Sequence, residues 1–207
     1  MVRISVPADG TVTILHERFQ DRGGREKAMG RNTKLQGRIW TITDSQRRLI
    51  DDIDTDQIYH NAHLAITDIR EMGKFAFGNL RGWEDFPSKA RPGDIVVVGK
   101  NFGAGSSRQQ AVDCFVSLAI SLLIGESFGA IYKRNAINSG FPVLECDNLT
   151  KAGLKSGDQI EVDVASGEIR IVGDEKRTIH ARPFSQVQMD IYQAGNLFEY
   201  GKILRQK

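Results

Sequence analysis

Asp94-Ile95-Val96-Val97-Val98-Gly99-Lys100-Asn101-Phe102-Gly103-Ala104-Gly105-Ser106-Ser107-Arg108 is the stretch on which the reading of this 207-residue chain turns. Pro92-Gly93 supply a turn, and the β-branched run after Asp94 predicts a strand buried on both faces. Beyond Arg108, Ala111, Phe115, Leu118, Ala119 and Leu122 recur at helical spacings of three and four. Strand, glycine loop and helix in that order read either as an anion site or as a capped helix after a tight turn, and the adjacent Ser-Ser-Arg favours the first. Gly103 and Gly105 let the backbone adopt positive φ and approach a bound group closely. The helix start offers unpaired N–H groups and a partial positive charge. Ser106 or Ser107 is placed to cap that helix, and Arg108 to fork onto a carboxylate or phosphate. A Walker loop is excluded because its Gly-Lys-Ser/Thr ending is missing. Arg108 also stands where the third glycine of a dinucleotide fingerprint belongs.

Working outward, Ser121 to Gly125 reads as the next buried strand. Residues 127–139 read as a helix striped by Phe128, Ile131, Tyr132 and Ala136 and stopped by Gly140. Phe141 to Cys146 reads as a further strand. This alternation predicts a partly parallel α/β layer. Downstream, Ile160-Val162-Val164 and Ile169-Ile171 flank Ser166-Gly167 as a hairpin. One final helix is expected from about Ser185 to Leu204. Upstream, residues 35–58 read as strand, loop, strand, with an acidic cluster from Asp51 to Asp56. Residues 59–91 read as loop or short helix. Val2-Ile4-Val6 and Val12-Ile14 around Asp9-Gly10 predict another hairpin. Residues 17–36 are polar and basic and read as an arm, contacting a partner or an anion or simply solvated.

The chain carries 28 basic and 26 acidic side chains, a net charge of +2. That balance argues against a dedicated nucleic-acid binder, which carries a strong basic excess. The only cysteines, Cys114 and Cys146, cannot supply a four-thiolate zinc site or an iron–sulfur cluster. Both are expected to be buried and inert. No apolar run approaches the ~20 residues that cross a bilayer, and no secretory signal opens the sequence, so a cytoplasmic location is expected.

Gly99 to Arg108 resembles the hallmark loop of the swivelling domain of the aconitase superfamily. Glu126-Ser127-Phe128 and Ile131 to Gly140 resemble the stretch that comes after it there. Asp51-Asp52-Ile53-Asp54-Thr55-Asp56-Gln57-Ile58 resembles the upstream Asp-Thr-Asp-Gln motif, and Gly195 to Gly201 the C-terminal helix. Within the superfamily the small subunits of 3-isopropylmalate dehydratase and homoaconitase are most similar. The resemblance covers residues 35–207 and implies a three-layer β/β/α domain with a mixed sheet. Residues 1–34, hairpin and basic arm, fall outside it.

The resemblance also implies an activity. Such enzymes eliminate and add water on hydroxy acids. The small subunit carries no metal and closes over a [4Fe–4S] cluster held by a large-subunit partner. By position, Ser106 would be the catalytic base, and Ser107 and Arg108 would bind substrate. Asn101, Gly103 and Gly105 would shape the loop. Asp51 and Asp54 would orient it, or belong with Asp56 to a solvated acidic turn of Asx-type hydrogen bonds; for Asp56 the second reading is preferred. Several residues depart from the family pattern. Ala104 replaces a cysteine, and Gln109-Gln110 replace Glu-His. In the substrate loop Tyr59 to Thr67, Ala62 replaces an arginine and His63 a tyrosine. His60, His63 and Thr67 are therefore candidate substrate contacts, although the histidines also read as ordinary loop residues. The substrate implied is a malate-like diacid, 3-isopropylmalate first, with homocitrate or an alkylmalate such as dimethylmalate as alternatives. A non-catalytic module binding RNA or a partner is the reading of another class.

Overall fold

A computed structural model describes residues 30–206 and, ahead of them, four two-residue strands. The chain divides into two compact units, 1–31 and 32–207. In the first unit β1 (Ile4–Ser5) pairs antiparallel with β2 (Thr13–Ile14), and β3 (Phe19–Gln20) with β4 (Glu26–Lys27). The expected Asp9-Gly10 turn and the side chains of the basic arm from Arg18 to Lys27 lie outside the described residues.

The second unit is built on a seven-stranded sheet. Its long strand is β5 (Lys34–Thr41), followed by β6 (Ile95–Val98), β7 (Leu122–Gly125) and β8 (Val143–Glu145), then β9 (Gln159–Asp163), β10 (Glu168–Ile171) and β11 (Asp174–His180), in the spatial order β11-β10-β9-β5-β6-β7-β8. β5 does two jobs. Its second half pairs parallel with β6, Ile39 opposite Ile95 and Thr41 opposite Val97. Its first half pairs antiparallel with β9, Leu35 opposite Val162. The parallel strands are bridged by α4 (Gln110–Ser117) and α5 (Ala130–Asn138), and the short α3 (Phe86–Lys89) leads into β6.

Alternation of side chains along these strands sends them into two cores. Val96, Val98 and Leu123 face a helix-side core with Phe77, Phe102, Phe115 and Tyr132. Ile95, Val97, Leu122 and Ile124 face a second core shared with Ile160, Val162 and Ile169 of the antiparallel strands. The sheet therefore curls so that its antiparallel part covers one face of its parallel part. Helices cover the other face, giving the β/β/α layering that the resemblance implied.

Four local expectations are corrected. Residues 35–58 hold one strand, not two. After it come a Thr43–Leu49 bridge and the short helix α1 (Thr55–Ile58), because Asp54 caps a helical turn there. Lys34, read as part of the basic arm, begins β5. β11, a polar strand, adds a third member to the expected hairpin. The final helix is two, α6 (Gln186–Ala194) and α7 (Leu197–Arg205), broken where Gly195 takes φ 104° and Asn196 caps α7.

Asp94 fastens β5 to the start of β6. It is 4% exposed. Its carboxylate accepts from Arg38 Nε at 3.2 Å and Nη2 at 2.6 Å, Trp40 Nε1 at 2.7 Å and the Arg91 N–H at 2.9 Å. Burial pushes its pKa up, but the Arg38, Trp40 and Arg91 hydrogen bonds outweigh that and hold it below the ordinary carboxylate value. Asp94→Ala strands these donors and should destabilise the fold by about 3 kcal/mol in urea denaturation. Because the folded-state pKa is depressed, the contribution is complete above the unfolded pKa. It is lost as pH falls through the folded one, so the deficit of the variant should shrink in acid.

Candidate active site

The glycine loop is laced between two segments distant in sequence. On one side the acidic string runs beside it. The Lys100 N–H donates to Asp51 Oδ1 at 2.7 Å, and Asn101 Nδ2 to Asp52 Oδ1 at 2.8 Å. The Gly103 N–H donates to the Ile53 carbonyl at 2.7 Å, and the Thr55 N–H to the Ala104 carbonyl at 3.0 Å. On the other side the Asn101 N–H donates to Ser127 Oγ at 2.8 Å, and the Gly129 N–H to the Phe102 carbonyl at 2.8 Å. Two glycines make this lacing sterically feasible. A Cβ on Gly99 would lie 2.3 Å from Asp51 Oδ1. One on Gly103, at φ 77°, would lie 2.2 Å from the Tyr132 ring. An open cleft of about 480 Å³ borders the base of the loop, lined by Asp51, Lys100, Glu126 and Thr150 with Asp44 and Arg48.

The tip of the loop, Gly105 to Ser107, is exposed. Neither serine caps α4: its N-cap is Gln109, without a side-chain cap bond, and Gln109 Nε2 turns instead to Asp113 Oδ1 at 2.9 Å. Ser107 Oγ accepts from Asn135 Nδ2 of α5 at 3.3 Å. Ser106 Oγ has no hydrogen-bond partner among the described residues.

Arg108 is mostly buried, with 16% of its side chain exposed. Its Nη1 donates to Asp56 Oδ1 at 2.6 Å and to the Tyr59 carbonyl at 3.1 Å. The side-on edge, Nε with Nη2, is unengaged among the described residues, and that is the edge that forks onto a carboxylate. Asp56 is thus the counter-ion of the loop. Its Oδ1 also accepts the Asn61 N–H at 3.1 Å, and its Oδ2 accepts Asn79 Nδ2 at 3.1 Å. The Arg108 guanidinium, helped by Asn61, holds the Asp56 carboxyl below its ordinary range against the opposing push of burial. Asp56, which the sequence reading favoured as a solvated turn residue, is the junction of the site. The Asp-Thr-Asp-Gln motif was the signal that pointed there. Asn79 carried no signal in the sequence.

Asp54 has a local role. Its carboxylate accepts the Asp56 and Gln57 N–H groups while Gln57 Oε1 accepts the Asp54 N–H, a capping box that starts α1. The substrate-loop histidines serve the loop itself. His60 Nδ1 accepts the Ala62 N–H at 3.2 Å. The His63 ring stacks on Phe75 with centroids 3.9 Å apart. Thr67 lies exposed just before Asp68, the cap of α2 (Ile69–Met72). The structure joins Asn61 of this loop to Arg108 through Asp56; it shows no bond from His60, His63 or Thr67 to the Ser106–Arg108 tip.

The described residues offer no ligand set for an iron–sulfur cluster. No group of three or more His, Cys, Asp or Glu is placed among them to hold a metal ion. Cys114 and Cys146 are buried in separate cores, and burial pushes the Cys146 thiol up to about 11 and Cys114 higher still. No helix among the described residues is long and apolar enough to cross a membrane.

A curled mixed sheet with a Ser-Ser-Arg loop at the carboxyl end of its second parallel strand defines an aconitase-type α/β domain, and residues 85–149 match the Aconitase C-terminal domain family. The 3-isopropylmalate dehydratase small subunit of Caldicellulosiruptor bescii is 39% identical over 152 residues, 73% of this chain and 89% of that one. The isopropylmalate/citramalate isomerase small subunit of Methanocaldococcus jannaschii is 36% identical over 168 residues, 81% of this chain and 94% of that one. The crystal structure of 3-isopropylmalate dehydratase from Methanocaldococcus jannaschii superposes with a TM-score of 0.73 at 33% identity, covering 84% of this chain and 96% of that one. The chain belongs to the 3-isopropylmalate dehydratase small-subunit family, whose members are subunits of a hydro-lyase.

Proposed function

We propose that this chain forms one wall of a composite active site. In it, a malate-like diacid, 3-isopropylmalate first, is dehydrated and rehydrated against a large subunit that carries the [4Fe–4S] cluster. Dehydration removes a proton from the carbon next to a carboxylate and hydroxide from the neighbouring carbon. The proton falls to Ser106, and departure of the hydroxide is left to the partner chain. The observation that carries this reading is the pairing of an exposed Ser106 with an Arg108 whose forked edge is free. Asp56 and the Tyr59 carbonyl fix the guanidinium from behind, so that edge is preorganised for one carboxylate of the substrate. An unassisted serine is a very weak acid. Its alkoxide needs cationic and N–H stabilisation, which Arg108 and the start of α4 two residues further on supply. Ala62 in place of the family arginine removes a cation from the substrate loop, so the loop relies on Arg108 for charge.

The test is reconstitution. The chain alone, the large subunit of a 3-isopropylmalate dehydratase alone and the assembled pair are assayed without oxygen against 3-isopropylmalate, citramalate, homocitrate and dimethylmalate. Turnover is expected only in the pair, with the highest kcat/KM on 3-isopropylmalate. Turnover by the isolated chain, or none by the pair on any of these diacids, refutes the proposal. A preference for another diacid keeps the chemistry and moves the substrate.

A further inference from the structure

Resting on that reading, we infer that Asn79 is a positioning residue that keeps Asp56 from capturing the substrate-binding edge of Arg108. A carboxylate facing a guanidinium ordinarily takes it by two parallel hydrogen bonds. Asp94 does so with Arg38, through Nε and Nη2. Asp56 does not: it meets Arg108 through Oδ1 and Nη1 alone. Its second oxygen is held instead by Asn79, whose Nδ2 donates to Oδ2 at 3.1 Å and to the Asp56 carbonyl at 3.4 Å. A carboxylate oxygen can accept several donors, as Asp94 Oδ2 does from Arg38, Trp40 and Arg91, so Asn79 acts by direction: its amide fixes the turn of the Asp56 carboxylate with Oδ2 off the second guanidinium nitrogen.

The segment carrying Asn79 is built to hold it there. Phe77 takes φ 58°, a left-handed conformation that is costly for a bulky residue. Strain of this kind persists only where surrounding structure over-determines it. Here the Phe77 N–H donates to the Ile58 carbonyl at 2.8 Å. Its ring is fully buried, 6.2 Å from that of Phe102 in the glycine loop and 5.3 Å from that of Phe115. Leu80, 3% exposed, anchors the far side. Asn79 itself is exposed between these anchors, with its amide turned onto Asp56. The strained turn thus ties the position of Asn79 to the loop that carries Arg108.

The test uses the complex with the large subunit. Asn79→Leu removes the donor while keeping the branched side-chain shape, and Asn79→Ala removes it without adding an apolar side chain. Both are expected to raise KM for the diacid about tenfold and to move kcat less than twofold, the size of one charge-assisted hydrogen bond redirected. Their thermal midpoints should match the parent, because Asn79 is exposed. In an Arg108→Lys background, where there is no fork to capture, the same changes should add nothing to KM. An unchanged KM in both Asn79 variants, with Arg108→Lys raising it, overturns this inference and leaves the proposed function standing. A full Asn79 effect in the Arg108→Lys background overturns it too. If Arg108→Lys alone leaves KM unmoved, the anchor of the proposed function fails and takes this inference with it.

Discussion

Ser106→Ala should cost the assembled enzyme about a thousandfold in kcat, in the range that loss of a general base ordinarily produces, while KM changes little. The expectation rests on where the hydroxyl sits. It is at the exposed tip of a loop laced on both sides by backbone hydrogen bonds, and no described group of this chain uses it structurally. Removing one oxygen there leaves the lacing, Arg108 and Asp56 untouched, so stability and assembly with the large subunit should be those of the parent. Ser107→Ala is the internal control. It removes the acceptor of the Asn135 amide and the substrate contact that the resemblance implies, so it should act on KM and lower kcat far less. Equal losses in the two variants would mean that the loop, and not the Ser106 oxygen, carries the effect. Wild-type kcat in Ser106→Ala would remove the serine from the chemistry altogether.

What the sequence made legible was local. The run Ile95 to Val98, the glycine loop and the helix after it each announce themselves within a dozen residues, and the structure places them as strand, loop and α4, although α4 ends at Ser117, short of Leu118 and Ala119 of the predicted stripe, and Leu122 belongs to β7. Elements that depend on distant partners were harder to read. β11 is a strand because it pairs with β10, and its sequence, Asp174 to His180, alternates too little to say so. The break at Gly195-Asn196 carried a cap signal, but an apolar stripe continuous across it suggested one helix. The serines looked like caps because they precede a helix. Cap geometry depends on where the helix begins, and it begins past them. His60 and His63 stood out as titratable residues in a substrate loop. Their partners, the Ala62 N–H and the Phe75 ring, are a few residues away or supplied by the next turn, and only coordinates show them.

Asp56 is the sharpest case, because its partner lies 52 residues along the chain. That arrangement predicts a loss of about a hundredfold in kcat/KM for Asp56→Asn, about 2.7 kcal/mol of transition-state stabilisation. The reason is a count of donors. Arg108 Nη1 and the Asn61 N–H point at Oδ1, and Asn79 Nδ2 points at Oδ2. A carboxylate accepts all three. An amide of the same shape must turn its own NH₂ toward one of these donors, and it leaves the guanidinium without a counter-ion. Arg108 then loses its fixed orientation, so the loss should fall on KM as well as kcat. The pH profile supplies an independent check. Arg108 holds the Asp56 carboxyl below the ordinary carboxylate value. The pair is therefore intact above the unfolded pKa of about 3.9 and is lost only as pH falls through the lower folded value. Between pH 5 and 8 Asp56 should contribute no limb to the profile, and the deficit of Asp56→Asn should be constant there. A deficit that disappears at pH 5 would show that another titrating group supports Arg108. A kcat/KM within threefold of the parent would return Asp56 to the role of a solvated turn residue.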